Sequence, residues 1–315
     1  MLGKHFINLT IFGLLLSTVG CSFIRIERLF IPSTAAEGDG VIILTDVDFD
    51  PASLMPETQP IAEYLGKNLR KAGISSSEVN IAPDVDTVAE WMNSGEVNLY
   101  FDSVYPALTV MKASGAMPIL RRWKDGVAQY STYIVTRKDS GIETLFDLNG
   151  KMITLQEPSS SSGFMFPMVY LLEAGLNPQE KSETNQSVLE NEIGYVFSGQ
   201  EEVTAEWILE GRVVAGALDN ETLAELSEED RSQLEIIAET DAFPRHVVLA
   251  GPNLEPEQIE VLKGVLVDMD ESNQGQKALQ AFSETAQFDE FPEGGEAAIA
   301  RFNAAYQLLQ DHLSQ

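Results

Sequence analysis

Met152-Ile153-Thr154-Leu155-Gln156-Glu157-Pro158-Ser159-Ser160-Ser161-Ser162-Gly163-Phe164 sets a short apolar run against four consecutive hydroxyls and a glycine. The pattern predicts a strand over Met152–Leu155, a loop, and a helix from Phe164 to Ala174. A serine loop at the head of a helix gathers O–H groups and unpaired backbone N–H groups where the helix dipole favours negative charge. It suits a phosphate, a phosphonate or a carboxylate. The Gly-Lys-Ser/Thr ending of a nucleotide-binding loop is missing. The plainer alternative is that one serine caps the helix and the rest is ordinary loop.

The same alternation continues on both sides. Upstream, Val41–Leu44, Val79–Ile81, Val97–Phe101, Pro118–Leu120 and Thr132–Thr136 read as strands. Helices are predicted between them, one carrying Ile61, Leu65 and Leu69 on a single face and stopping at Gly73. Downstream, Tyr195–Phe197, Val213–Leu218, Ile236–Ile237 and Val247–Leu249 are further strands. Ile259, Leu262, Leu266 and Met269 open a helical C-terminal region. Strands and helices interleaved in this way imply α/β architecture with mostly parallel sheets covered on both faces.

Composition narrows the function. The chain has 315 residues, 49 acidic against 20 basic side chains, a net charge of −29, three histidines and one cysteine. So acidic a chain is a poor fit to nucleic acid or to an anionic lipid surface, both of which are held by clustered Lys and Arg. One cysteine excludes an internal disulfide and a Cys-based zinc site. Only His246 lies inside the body, since His5 and His312 sit near the ends, which leaves little for a His-dependent hydrolase or a multi-His metal site. No cofactor is expected.

Lys4 followed by the apolar Phe6–Val19 run reads as an export signal, short for a membrane span, with an uncleaved anchor or an ordinary signal peptide as the alternatives. Ser17-Thr18-Val19-Gly20-Cys21 resembles a bacterial lipobox, with Thr18 where leucine is commonest. Residues 1–20 are therefore expected to be a lipoprotein signal peptide, Cys21 the acylated anchor, and residues 21–40 a tether. The body is then extracytoplasmic.

A second segment with chemical content is Asp102-Ser103-Val104-Tyr105-Pro106, followed by Arg121-Arg122-Trp123-Lys124 and Tyr130. Asp102 and Ser103 end a strand, the edge at which open α/β sheets hold ligands. Asp219-Asn220-Glu221 also ends a strand, with a helix N-cap as its simplest role.

Together these residues resemble a known family. Asp102-Ser103-x-Tyr105-Pro106, Tyr130-x-x-Tyr133-Ile134-Val135-x-Arg137-Lys138-Asp139-Ser140-Gly141-Ile142 and Leu145-x-Asp147-Leu148-x-Gly150-Lys151 look like the phosphate/phosphite/phosphonate substrate-binding proteins of ABC importers. Pro158-x-Ser160-Ser161-Ser162-Gly163 and Gly175-Leu176 continue the similarity, which covers roughly Val41 to Leu266. The resemblance implies a two-lobed type II periplasmic-binding-protein fold closing on a ligand. Lobe one would comprise residues 41–133 plus 247–315 and lobe two residues 134–246, with crossover strands near Thr132–Thr136 and Pro244–Leu249.

Carried over residue by residue, Ser160, Ser161 and Ser162 match the serine-threonine-serine that grips the phosphoryl oxygens. Tyr130 matches a cleft aromatic, Glu221 matches a carboxylate that receives a ligand ammonium group, and Ser103 and Tyr105 join the expected site. Where relatives carry Gly-Ser-His, this chain has Gly199-Gln200-Glu201, so a carboxylate replaces an anion donor. Glu201 would repel a dianion unless it is protonated or bonded through the ligand's own O–H. Pro244-Arg245-His246 stands at the returning crossover, so the cationic partner is expected at the hinge, in Arg245 and His246.

The leading expectation is a lipid-anchored, monomeric receptor that hands a small anionic solute to an ABC permease and its ATPase. A ligand-sensing module of the same fold, reporting to a membrane signalling partner, is the alternative. A serine hydrolase ranks third, because no GxSxG elbow is present.

Overall fold

The computed structural model describes residues 39–48 and 50–315. The signal peptide, the Cys21 anchor and nearly all of the tether expected from the sequence lie outside those residues. Through the first part of the chain run β1 (Gly40–Val47), α1 (Pro51–Asn68), β2 (Ile74–Ala82), α2 (Val85–Ser94), β3 (Leu99–Asp102), α3 (Val104–Ser114) and β4 (Met117–Arg122). The two-residue β5 (Gln129–Tyr130) leads into β6 (Thr132–Arg137), β7 (Met152–Leu155), α4 (Phe166–Glu173), β8 (Pro178–Glu180) and β9 (Ile193–Phe197). Next come α5 (Glu201–Leu209), β10 (Ala215–Asp219), α6 (Asn220–Glu225), α7 (Glu228–Gln233) and β11 (Leu234–Glu239). After β12 (Phe243–Pro244), the chain closes with β13 (His246–Ala250), α8 (Pro256–Val267), α9 (Asn273–Ala281), β14 (Phe288–Asp289) and α10 (Gly295–Leu313).

Local chemistry sets several of these boundaries. Asp84 accepts the Thr87 N–H at 2.8 Å to start α2, and Gly95 ends it with φ at +81°. Val88, Ala89 and Met92 recur along that helix and are buried. β1 hides Ile42 and Leu44 completely, because helices cover the sheet on both sides. Burying one such side chain is worth about 1.5–3 kcal/mol.

Two six-stranded sheets result, ordered β14-β4-β13-β3-β1-β2 and β11-β6-β10-β7-β9-β8. In the first, β3, β1 and β2 pair in parallel, and β13 is wedged antiparallel between β3 and β4. In the second, β10, β7, β9 and β8 pair in parallel, while β6 runs against both β10 and β11. Most strands in each sheet run one way, but β14 and β13 are reversed in the first and β6 in the second, β13 and β6 each arriving through a linker from the other sheet. Hydrophobic periodicity carries no strand direction, so it gives no sign of this reversal.

The passages between sheets are residues 123–131 and 240–245. This corrects the expected crossovers, because Thr132–Thr136 and Val247–Leu249 are sheet strands whose apolar runs reflect burial within a sheet. The linkers pair briefly through β5 and β12, Phe243 opposite Tyr130 and Pro244 opposite Gln129. Trp123 opens the first linker, with its N–H donating to the Gln287 carbonyl at 3.0 Å and its carbonyl accepting from Ala286 at 2.9 Å. Its indole Nε1 is enclosed and has no partner among the described residues. α10 packs on both α3 and α4. There Gln310 Nε2 donates to the Tyr105 hydroxyl at 3.3 Å, and His312 Nε2 lies 2.7 Å from the Pro178 carbonyl.

Candidate functional site

The C-terminal ends of β3, β7 and β10 open onto one cleft of about 550 Å³. Its floor is the linker pair, which brings in Tyr130 and Arg245, with His246 beside them at the start of β13. The serine loop forms one wall. The helix that follows starts three residues sooner than the sequence suggests, with a π-helical turn over Ser161–Met165 running into α4. Ser160 caps it, its Oγ accepting the Gly163 N–H at 2.8 Å. Gly163 has no room for a side chain, because an added Cβ would lie 2.3 Å from the Gln156 Cβ. Gln156 donates its N–H to the Gly163 carbonyl at 3.0 Å, so the loop is folded tightly onto the end of β7.

The three serines do different things. Ser161 Oγ accepts the backbone N–H of Tyr105 at 2.8 Å, tying the loop to the first turn of α3. Ser162 Oγ donates to Glu201 Oε1 at 3.1 Å. The Ser161 and Ser162 N–H groups have no acceptor within the described residues. Across the cleft, α3 begins at Ser103, whose side chain turns back to Asp102 Oδ1 at 3.2 Å instead of capping the helix. Two helix N-termini therefore face a shared space.

Arg245 supplies the fixed positive charge. It lies 4.9 Å over the Tyr130 ring, with Nε 3.2 Å from Glu221 and a terminal nitrogen 3.6 Å from Asp125. The Nε–H is not aligned for a hydrogen bond and stays unspent. His246 is buried with Nδ1 unpartnered, and burial together with Arg122, Lys124 and Arg245 holds its pKa well below the usual imidazole range. The hinge cation is thus Arg245, and His246 offers a neutral ring.

Carboxyls line the rest. Burial raises the pKa of Asp102, which accepts from the Tyr100 hydroxyl and from the Ser103 N–H at 2.6 Å. Asp46, beside Asp102 but outside the lining, is likewise pushed up by burial to about 6. Glu201 stands at the start of α5, where the helix dipole stabilises a carboxylate. Burial and the neighbouring Asp219 outweigh that and raise it to about 7. Its second oxygen accepts from Thr222 Oγ1 at 2.5 Å and from the Asp219 N–H at 3.4 Å.

Of the residues expected from sequence, Ser103, Tyr130, Ser160, Ser161, Ser162, Glu201, Arg245 and His246 line the cleft. Glu221 reaches it only through Arg245. The Tyr105 side chain points away, between Phe164 and Tyr306, and contributes its backbone N–H instead. Sequence reasoning did not select Gln156, Asp219 or Thr222 for the site. Asp219 does cap α6 as its spacing suggests, accepting the Thr222 N–H at 2.7 Å, yet it also faces the cleft. Its place at a strand's C-terminal end was the available signal.

Residues 46–293 match the family model described as ABC transporter, phosphonate, periplasmic substrate-binding protein. The chain belongs to that family. It is 31% identical over 241 residues to the phosphate-import protein PhnD of Mycolicibacterium smegmatis, covering 73% of each chain. The structure of XAC2383 from Xanthomonas citri bound to chloride superposes with a TM-score of 0.77 at 24% identity, covering 86% of this chain and 99% of that one. PhnD1 from Prochlorococcus marinus in complex with methylphosphonate gives a TM-score of 0.57 at 16% identity, covering 86% and 100%. These structural likenesses establish the type II periplasmic-binding-protein fold. The family member is a substrate-binding transport protein and not an enzyme, and it works outside the cytoplasm with a permease and an ATPase. No helix among the described residues is long and apolar enough to cross a membrane.

Proposed function

We propose that this chain captures a small phosphorus oxyanion (phosphate, phosphite or a short phosphonate) in the cleft and delivers it to an ABC permease. The carrying observation is the pair of helix N-termini facing one space, with the Ser161 and Ser162 N–H groups unspent and Arg245 beneath. Dipoles, N–H donors and one guanidinium suit a compact tetrahedral anion. In this reading the two sheets are the cores of two lobes that close about residues 123–131 and 240–245. Cys21 tethers a monomer to the membrane surface.

Glu221 Oε2 is ion-paired with Arg245, so a ligand ammonium group would compete with a guanidinium for that carboxylate. Simple oxyanions are therefore expected to bind better than aminoethylphosphonate. Thermal shifts of the purified chain with phosphate, phosphite, methylphosphonate, aminoethylphosphonate, sulfate and small carboxylates test this. A ligand at a hundredfold excess over Kd stabilises by about 2.7 kcal/mol. A selective upward shift with a phosphorus oxyanion is the expected result, and no shift with any of them would remove the assignment.

A further inference from the structure

The link between Ser162 and Glu201 raises a question of hydrogen-bond polarity, and its answer deepens the oxyanion reading on which it rests. A serine hydroxyl has one proton to give. While Glu201 is ionised, that proton is held by Oε1 at 3.1 Å, and Ser162 has only lone pairs left for the Tyr130 hydroxyl and for a ligand in the cleft. A bare oxyanion then meets lone pairs backed by a carboxylate. An anion with its own O–H can donate into Ser162 Oγ. Alternatively, a proton on Glu201 passes to Ser162 as a donated bond, and the serine proton turns to the ligand.

We propose that Glu201, acting through Ser162, makes the cleft selective for oxyanions that bring their own proton.

The geometry supports this assignment on three counts. Glu201 is buried, and Ser162 Oγ is the hydrogen-bond partner of its Oε1. Its other oxygen is committed to Thr222 Oγ1 and the Asp219 N–H, which fixes the carboxyl plane. Ser162 is itself anchored, since its carbonyl accepts from Thr132 Oγ1 at 2.9 Å. The charged or titratable groups around Glu201 are Asp219 at the end of β10, Tyr130 from the linker and Glu202 on its own helix. Arg245 and His246 stand on the cleft floor. Of these, Asp219 hinders ionisation of Glu201, and His246 stays neutral throughout the working range. A proton taken up near neutrality beside Ser162 therefore belongs at Glu201, whereas Asp46 and Asp102, also raised by burial, stand with Tyr100 and Ser103, and Glu201→Gln separates the two groups.

Hydrogen phosphate keeps a proton through the neutral range, whereas sulfate carries none. Calorimetric titration of the full chain with each anion at pH 6 and pH 8 reads the difference directly. At pH 8 phosphate is expected to bind about tenfold or more tighter than sulfate. Sulfate affinity is expected to rise about tenfold on going to pH 6, as a group titrating near 7 requires. In Glu201→Gln the Asp219 N–H still needs an acceptor, so the amide carbonyl takes that side and the NH2 faces Ser162. Ser162 then donates to the ligand permanently. Sulfate binding should lose its pH dependence, and the phosphate preference should shrink about tenfold. Equal phosphate and sulfate affinity at pH 8, or sulfate binding unchanged between pH 6 and 8, would overturn the inference while leaving oxyanion capture intact. Failure of both anions to bind at both pH values would instead overturn the oxyanion reading, and this inference with it. The wild-type measurements decide the question even if the variant does not fold.

Discussion

Gly163 shows how closely a single position is constrained at the cleft. A Cβ there would strike Gln156, so Gly163→Ala must push the serine loop off the end of β7. Overpacking of this kind costs about 1–3 kcal/mol, and the expected result is a lower denaturant midpoint together with weaker anion binding. Ser160→Ala removes the cap on Gly163 and should cost about 1 kcal/mol in stability. Ser161→Ala should instead lower affinity, because it strips the acceptor that joins the loop to Tyr105 and orders the two helix starts. Normal affinity in Ser161→Ala, measured by calorimetry, would mean that the link is incidental. The serine tract was legible in the sequence as an anion loop. The division of labour within it was not, because the partners Tyr105 and Glu201 lie 56 and 39 residues away. Glu201 was visible as a departure from the family pattern, but its environment was invisible until α5 was seen packed beneath Asp219 and Thr222.

At the scale of elements, the alternation of strands and helices was readable because apolar runs and glycine stops are local. The reversed strands β6 and β13 were missed for the same reason, since direction depends on which sheet the chain has just left. α10 is the element whose role was least visible. The sequence marks it only as helix, whereas its last turns reach Tyr105 in the first turn of α3 and Pro178 at the edge of the second sheet. Removing residues 310–315 deletes both contacts, each worth about 1 kcal/mol. The expected outcome is a melting temperature lower by a few degrees with anion selectivity retained, checked by scanning calorimetry and the same ligand series. Unchanged melting would show that α10 does not help hold the two sheets together.

For the whole molecule, buried carboxyls set the pH profile. Glu201 goes from an ordinary value near 4.5 to about 7 on folding, and Asp46 from 3.8 to about 6. A carboxyl with a raised pKa prefers to stay protonated in the folded state. Its contribution is complete below the unfolded value and is lost as pH rises through the folded one. The ligand-free protein should therefore lose stability between about pH 4 and pH 7, by an amount on the order of 3 kcal/mol for Glu201 alone. Denaturant melts across that range should show the slope, and Glu201→Gln should flatten it. A profile already flat in the wild type would mean that these carboxyls ionise freely. Composition hides this, because a net charge of −29 reads as solvated surface and says nothing of which carboxyls are buried.

Trp123 has a use of a different kind. It stands where the chain leaves the first sheet, with its indole N–H enclosed and unpartnered, whereas Trp91 rides on α2 and Trp207 on α5. Closure that swings the second sheet about this linker must alter the polarity around that ring, and indole emission follows polarity. With the other two tryptophans replaced by phenylalanine, the protein becomes its own optical gauge. Ligand arrival would be read in the colour of one residue, without a dye and on the timescale of stopped flow.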